Sequence, residues 1–278
     1  MLSSIMAAAR GVYAGRLATT SPLLNVGCGN RFHAAWTNAD LMPASPEVLP
    51  IDLRRRLPFA DSTFAAAYSS HVLEHLTPLE ARGFLREMQR VLRPGGVVRI
   101  VVPDLEGIVR GYLRALDEAA CAADTEARWR HRWMTVELLD QMVRTQSGGA
   151  MGRWWSCTPV PCLDLIQERL GAEATMAIAS QQARTDRTFL DPVDILLTPA
   201  VSDREAMAFA ARGERHKWMY DRVSLADVLR ESGFTEPRPM TAVDSRIPAF
   251  TTYELDADAS GNILKPDSLF MEAVRPSA

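Results

Sequence analysis

Short apolar runs, each ending at polar residues, recur along the first part of the chain. The first run spans Leu23 to Val26 and leads into a glycine-rich turn at residues 27–30. Apolar runs of this length with turn residues at their ends are typical of buried β-strands. Four further runs with this pattern occupy residues 36–39, 48–51, 64–68 and 97–102 and end at Asp40, Asp52, Ser69-Ser70-His71 and Pro103-Asp104.

A helical pattern separates the fourth and fifth of these strands. Thr77 is a suitable N-cap, Pro78 suits the first helical position, and Glu80 completes a capping box. Apolar residues then recur on one face until residues 94–96, Pro-Gly-Gly, end the helix. Strands that alternate with helices predict a mostly parallel sheet, with ligands bound at the carboxyl ends of its strands.

The remainder of the chain divides into a helical part and a return to the sheet. Long helical stretches with four tryptophans fill residues 106–215, and we expect Trp129 and Trp133 to form the core face of this part. A capping box at residues 224–227 predicts a helix, and strands at 238–243 and 269–274 complete the sheet as an antiparallel hairpin. We therefore predict an N-terminal helix in residues 1–21, one α/β domain from residues 22–105 and 216–278, and a helical insertion or lid at 106–215.

Composition narrows the class of protein. The chain has 278 residues, 47% of them hydrophobic, and a net charge of −3, which disfavours nucleic acid as a partner. No apolar run is long enough to span a membrane. The four cysteines form no paired spacing, which favours a reducing, cytoplasmic location. An organellar transit peptide is the alternative for the first 39 residues, which contain arginines and no Asp or Glu.

The glycine-rich turn indicates a ligand that approaches the backbone closely. Gly27 and Gly29 carry no Cβ and tolerate positive φ. A dinucleotide site needs a third glycine and an acidic residue about 20 positions further on, whereas here the third glycine is missing and Asp40 follows Gly27 closely. Asp40 is instead placed to accept hydrogen bonds from ribose hydroxyls. A compact adenosine ligand without phosphates, such as S-adenosylmethionine, fits this pattern.

Four segments in order resemble the class I S-adenosylmethionine-dependent methyltransferases of type 11. They are Leu-Asn-Val-Gly-Cys-Gly-Asn at 24–30, Leu-Pro-Phe at 57–59, Ser-His-Val-Leu-Glu-His at 70–75 and Arg-Val-Leu-Arg-Pro-Gly-Gly at 90–96. Residues 216–221 and 224–225 are similar to a later segment of a bacterial branch tied to polysaccharide assembly. The resemblance implies a Rossmann-like sheet, mostly parallel with an antiparallel last strand, and S-adenosyl-L-methionine as cofactor.

The resemblance also implies which residues bind the cofactor. The two glycines would face it, Asp40 would bind the ribose, and Asp52 with Leu53 would lie at the adenine. The chain departs from the family at Asn25, where an acidic residue is common, and at Arg31, where a glycine usually stands. The full expected set is Asn25, Gly27, Cys28, Gly29, Asn30, Asp40, Leu41, Asp52, Leu53 and Ser70.

The segment His71-Val72-Leu73-Glu74-His75 allows two interpretations. It matches an inverted zinc-protease motif, but that site needs both histidines on one helix, and here the helix begins after Thr77. We therefore expect no metal. As part of a methyltransferase, the segment offers a general base, or else Glu74 and His75 only fix the loop. The candidate catalytic residues are His71, Glu74, His75 and Asp104, although for Asp104 we favour a role as N-cap of the next helix over the catalytic one.

The acceptor is the least determined part of the prediction. We expect it to be a small molecule or a glycan, methylated at oxygen, and we leave the oligomeric state open. A binding module that holds the cofactor without turnover is the alternative, and a dinucleotide oxidoreductase is a weaker one. The candidate acceptor-binding residues are Gln141, Arg144, Trp154, His216 and Tyr220.

Overall fold

A computed structural model describes residues 21–122, 124–184, 201–211 and 213–277 of the chain. Residues 1–20, where we expected the N-terminal helix, lie outside the described residues. The described residues fall into two compact units. The first comprises the described residues up to Pro103, Tyr220–Asn262, and those from Leu269 onward, and the second comprises Asp104–Met219 and Ile263–Ser268.

The described residues form a seven-stranded sheet. Its order is β3-β2-β1-β4-β5-β7-β6. The pairs β1–β2, β1–β4, β2–β3 and β4–β5 are parallel, whereas β6 and β7 are antiparallel, which confirms the predicted architecture. The strands are β1 (Leu23–Val26), β2 (Thr37–Asp40), β3 (Leu49–Pro50), β4 (Phe64–Ser70), β5 (Leu92–Pro103), β6 (Thr235–Met240) and β7 (Ser268–Val274).

Seven α-helices and two 3₁₀ helices lie within the described ranges. The 3₁₀ helices are Leu73–His75 and Phe250–Tyr253. The α-helices are α1 (Pro78–Val91), α2 (Leu105–Cys121), α3 (Thr125–Val143), α4 (Gly149–Trp155), α5 (Leu163–Arg184), α6 (Asp203–Ala210) and α7 (Arg222–Glu231). No helix in these ranges is long and apolar enough to cross a lipid bilayer.

The start of α1 follows the prediction, whereas its end and the start of α7 correct it. Helix α1 ends at Val91, and the Pro-Gly-Gly of residues 94–96 that was expected to end it lies within β5. The Thr77 hydroxyl accepts a hydrogen bond from the Glu80 amide, and the Glu80 carboxylate accepts one from the Thr77 amide, which forms the capping box. At α7 the N-cap is Asp221 rather than Ser224, which is instead the third residue of the helix. Strand β6 also begins earlier than predicted, because the chain leaves α7 through Gly233, at φ +95°, and pairs at once.

One face of the sheet packs against helices. Alternate residues of β1, β4, β5 and β7 share a single core with the apolar faces of α1 and α7. In β5, for example, Val98, Ile100 and Val102 are buried on this side. The β-branched run supplies the close-packed surface that the two amphipathic helices cover.

The opposite face of the sheet is covered by residues 241–257 and carries a row of buried polar side chains. Asn38, Asn25, Tyr68 and Arg99 occupy matching register positions on β2, β1, β4 and β5. Glu272 on β7 continues the row through an ion pair of 3.0 Å with Arg99. Strand register therefore places these distant residues side by side on the face that residues 241–257 cover.

The second unit has its own aromatic core. Trp133 and Trp154 are fully buried, and Trp129 packs edge-on against Trp154. These contacts confirm that Trp129 and Trp133 form a core face. Gly171, at φ +71°, interrupts α5 where a Cβ would lie 2.7 Å from Pro266 Cδ, so residues 263–268 pack into this unit.

Candidate functional site

The glycine-rich turn is tied to the neighbouring strand through its backbone. The amides of Gly27 and Cys28 donate to the Ala39 carbonyl at 2.7 and 3.3 Å, and the Arg31 amide donates to the Cys28 carbonyl at 2.8 Å. Gly27 and Gly29 have φ values of +72° and +51°. The turn therefore uses a left-handed backbone at both positions, as the choice of glycine predicts.

The two glycines face different surroundings. A Cβ at Gly27 would lie 2.2 Å from Val72 Cγ2, so the turn packs directly on the segment that follows β4. A Cβ at Gly29 would meet nothing within 4 Å among the described atoms. The backbone is thus closely supported at Gly27 and open at Gly29, where a ligand can approach it.

Asn25 supports the turn from within the sheet. Its side chain is fully buried, and its amide donates to the Arg31 carbonyl and to Asn38 Oδ1, both at 3.1 Å. Its own Oδ1 accepts no hydrogen bond from the described residues.

Burial, followed by the negative charge of Asp40, raises the pKa of Cys28 to about 11, so this thiol stays protonated at neutral pH.

Asp40 closes the other side of the turn. Its Oδ2 accepts from the Gly29 amide at 2.8 Å, and its Oδ1 accepts from the Met42 amide at 2.8 Å. Leu41 and Met42 follow it as exposed apolar side chains. Each carboxylate oxygen retains a lone pair, so Asp40 can still accept hydrogen bonds from a diol.

The other expected cofactor residues lie at the ends of neighbouring strands. Asp52 pairs with Arg54 at 2.9 Å. Burial opposes its ionisation, but the hydrogen bonds from Arg54 outweigh burial and hold the pKa of Asp52 below its usual value. Leu53 is buried, Asn30 is exposed in the turn, and Ser70 ends β4 half-buried.

His71 stands at the carboxyl end of β4 in a strained conformation. Its φ of +54° is uncommon for a residue with a Cβ, and its amide donates to the Val101 carbonyl at 2.9 Å. Its Nδ1 lies 3.4 Å from Oε1 of Glu74, and Nε2 of His75 lies 4.0 Å from the same oxygen. The Glu74 side chain is 0% exposed. Two imidazoles thus flank a buried carboxylate.

The two histidines of this segment do not share an α-helix. His71 precedes the 3₁₀ helix Leu73–His75, and α1 begins only at Pro78. The spacing that matched a zinc-protease motif therefore has a different backbone geometry here.

A family model described as a methyltransferase domain matches residues 24–100. The match begins in β1 and ends in β5, so it includes the glycine turn, Asp40 and the His71–His75 segment. Residues 24–100 of the chain are thus similar to a methyltransferase domain, and such a domain implies S-adenosyl-L-methionine as the methyl donor, as the sequence predicted.

Solved structures that match the chain are distant from it in sequence. A SAM-dependent methyltransferase from Archaeoglobus fulgidus is 11% identical over 98% of this chain and 91% of that chain, with a TM-score of 0.38. One from Thermotoga maritima is 11% identical over 99% and 88%, with a TM-score of 0.36. The CurJ carbon methyltransferase is 13% identical over 98% and 52%, with a TM-score of 0.37. No curated protein matches the chain.

Asp104 serves as an N-cap. Its carboxylate accepts a hydrogen bond of 3.1 Å from the Glu106 amide at the start of α2. Burial raises its pKa, and the hydrogen bonds from the Gly107 and Glu106 amides oppose that rise. Asp104 therefore acts as the helix N-cap that we considered as the alternative to a catalytic role.

The prediction that Trp154 binds the acceptor is wrong. Its side chain is fully buried, and its Nε1 donates to the Pro161 carbonyl at 3.1 Å. No surface of the indole is left for a substrate, so Trp154 is a core residue of the second unit.

Three other candidates of the second unit are grouped by hydrogen bonds. The His216 amide donates to the Gln141 carbonyl at 3.0 Å. Arg144 donates to the Glu214 carbonyl at 3.1 Å and lies 3.7 Å from its carboxylate. These contacts attach residues 214–216 to α3.

Tyr220 belongs to the first unit and is buried. Burial, followed by the negative charge of Glu74, raises its pKa to about 12. Its hydroxyl makes no hydrogen bond within the described part of the chain. The phenol is therefore a protonated donor on the Glu74 side.

Sequence analysis missed the buried charges on the sheet. Arg99 donates to Asp256 at 2.7 Å and to Glu272 at 3.0 Å, and all three side chains are almost fully buried. The Tyr68 hydroxyl bonds Asp256 as well. A single arginine inside the apolar run of residues 97–102 is the signal that could have revealed this network.

Proposed function

We propose that this methyltransferase acts on a hydroxyl oxygen of a small-molecule or carbohydrate-type acceptor, with His71 as general base. The observation that carries the proposal is the placement of His71. It has a left-handed backbone at the end of β4, and its neighbour Val72 packs against Gly27 of the glycine turn. A titratable imidazole thus lies beside the loop that we assign to the cofactor.

The cofactor residues proposed from the sequence fit the geometry of the turn. The space at Gly29 leaves its backbone open, and Asp40 retains acceptor lone pairs for two ribose hydroxyls. Asp52 and Leu53 would flank the adenine at the end of β3. We assign Cys28, Asn30, Leu41 and Ser70 to the surrounding wall. Asn25 is fully buried, and it would support the turn from within the sheet through its hydrogen bond to the Arg31 carbonyl.

A base is needed because the acceptor must lose a proton. The bound cofactor supplies an electrophilic methyl carbon on a sulfonium. The acceptor hydroxyl would give its proton to Nε2 of His71, whose Nδ1 faces Glu74, while the sulfonium would lose its methyl group and leave as a neutral thioether. A placed base of this kind contributes about 10²- to 10⁴-fold in rate.

The acceptor ligands and the location of the protein are further proposals. Gln141, Arg144 and His216 form a polar group in the second unit that suits hydroxyl or phosphate groups. Free cysteines among the described residues support a cytoplasmic location.

The test replaces His71 by Asn, which tolerates positive φ and so preserves the loop. Isotopically labelled S-adenosylmethionine is incubated with the enzyme, a cell extract and a panel of hydroxyl compounds, and products are identified by mass spectrometry. We expect a methyl ether whose formation falls by about 10²- to 10⁴-fold in His71→Asn. Binding of S-adenosylhomocysteine should be unchanged. Labelled amines or carbon-methylated products, or full activity of the variant, would contradict the proposal.

A further inference from the structure

Glu74 is a buried carboxylate between two partly exposed histidines. Its side chain is 0% exposed, whereas those of His71 and His75 are 19% and 27% exposed. A carboxylate is removed from water at high cost unless positive charge or hydrogen-bond donors compensate it. An acceptor can therefore reach the imidazoles but not the carboxylate, which excludes Glu74 as the group that takes the acceptor proton.

The geometry connects Glu74 to His71 in particular. Oε1 of Glu74 lies 3.4 Å from Nδ1 of His71 and 4.0 Å from Nε2 of His75. His71 is also the residue whose backbone is held at positive φ, with its amide bonded to Val101. The strained backbone aims the imidazole back at the carboxylate that follows it along the chain.

Other titratable groups face this pair from neighbouring elements. Tyr220, just before α7, places a buried phenol on the Glu74 side, and Arg82 of α1 acts electrostatically on that phenol. Asp256, from the segment that covers the sheet, interacts with the charge of His71. The His71 imidazole thus lies within electrostatic range of two buried carboxylates, Glu74 and Asp256, and the protonated phenol of Tyr220 lies beside Glu74.

We infer that Glu74 is a positioning residue for methyl transfer: it holds the Nδ1–H of His71, so that Nε2 faces the acceptor hydroxyl. When Nε2 takes the acceptor proton, Glu74 remains ionised and balances the imidazolium. No proton passes to the carboxylate. This inference rests on the proposed function, because it assumes that His71 is the base.

The test uses Glu74→Gln, which keeps the shape of the side chain and removes its charge. Because Gln can donate as well as accept, it no longer fixes which nitrogen of His71 carries the proton. In ¹⁵N spectra of the imidazoles, assigned with His71→Asn, we expect the neutral Nδ1–H tautomer in the wild type and a mixture in Glu74→Gln. In the labelled-cofactor assay, kcat should fall at least about tenfold, while the affinity for S-adenosylhomocysteine stays the same.

A matched control separates loss of this contact from the loss of a carboxylate in general. Glu87→Gln is the matched control, because Glu87 is a structural carboxylate paired with Arg90 in the same unit. It should lower stability without changing the His71 tautomer.

The two proposals fail differently. An unchanged His71 tautomer in a folded Glu74→Gln variant overturns the positioning role. If that variant does not fold, an Nε2–H tautomer of His71 in the wild-type protein overturns it instead. Full activity of His71→Asn overturns the proposal that His71 is the general base, whichever tautomer the spectra show.

Discussion

Gly27 and Gly29 both have a left-handed backbone conformation, but different physical restrictions act on a side chain at the two positions. At Gly27 a side chain would overlap Val72, whereas at Gly29 the space beside the backbone is open. Only the first position is therefore restricted by packing as well as by backbone conformation. The second is restricted by the backbone, and in our proposal by the cofactor.

Gly27→Ala should consequently destabilise the protein more than Gly29→Ala. Both variants incur about 1–2 kcal/mol for a left-handed alanine, and only Gly27→Ala adds the overlap with Val72. Gly29→Ala should instead weaken binding of S-adenosylhomocysteine, because its methyl group enters the space above the turn. Urea unfolding and calorimetric titration measure the two effects.

A double variant separates the overlap from the backbone strain. Gly27→Ala combined with Val72→Ala should recover the overlap part of the loss, and a double-mutant cycle isolates that part. Equal destabilisation by Gly27→Ala and Gly29→Ala would show that Val72 imposes no restriction.

At this scale, sequence predicted the turn because two glycines after a buried strand have few other uses. The sequence could not show which tryptophans are buried and which are available to bind a substrate. Only the packing of Trp129 and Trp133 around Trp154 shows that Trp154 is a core residue. The positive φ of His71 could not be predicted either, because a histidine in a sequence does not indicate a left-handed backbone as a glycine does.

Among the elements, α7 shows how a helix start is chosen between two matching patterns. Asp221 with Ser224, and Ser224 with Asp227, both have capping-box spacing. The structure uses the first, and Tyr220 and Leu225, the residues before the cap and at the fourth helical position, are both buried in the same core. This hydrophobic staple selects the earlier start.

Asp221→Ala should therefore cost about 1 kcal/mol of stability through the lost cap. Asp221→Asn is the matched control, because asparagine caps equally well but does not titrate. The hydrogen bond from the Ser224 amide holds the pKa of Asp221 below its usual value despite partial burial. Its charge-dependent stabilisation is thus complete above the unfolded pKa of about 3.9 and is lost as pH falls through the folded pKa.

Urea unfolding at neutral and acidic pH tests this sign. At neutral pH the free energy of unfolding should be larger for the wild type than for Asp221→Asn, and this difference should shrink on acidification. A difference that grows as pH falls would contradict the capping account.

At the scale of the whole molecule, a buried ion network attaches residues 241–257 to the sheet. Arg99 binds Asp256 and Glu272 and donates to the carbonyls of Thr241 and Asp244. Phe250 and Phe270 lie 4.6 and 5.4 Å from its guanidinium. One side chain thus joins two strands and both ends of the covering segment.

Arg99→Met should destabilise the fold by about 3–5 kcal/mol, because it removes the ion-pair partner of buried Asp256 and one of the two arginines at buried Glu272. Arg246→Met is the control, since Arg246 lies 3.5 Å from the same Glu272 but is partly exposed. Chemical denaturation should show a much smaller loss for the control. Equal losses would mean that burial does not set the strength of these pairs.

Sequence predicted the sheet at this scale because alternating apolar runs and helices leave few topologies. It could not predict the network. The partners of Arg99 lie more than a hundred residues away, and only strand register and the path of residues 241–257 bring them together.

Calorimetric titration of S-adenosylhomocysteine into the wild type and Asp40→Ala, with NAD as comparison, tests the central claim most directly. We predict saturable binding of S-adenosylhomocysteine, weakened by about 1–3 kcal/mol in Asp40→Ala through the lost hydrogen bonds, and no binding of NAD. Tight binding of NAD with none of S-adenosylhomocysteine, or an affinity indifferent to Asp40, would contradict the account.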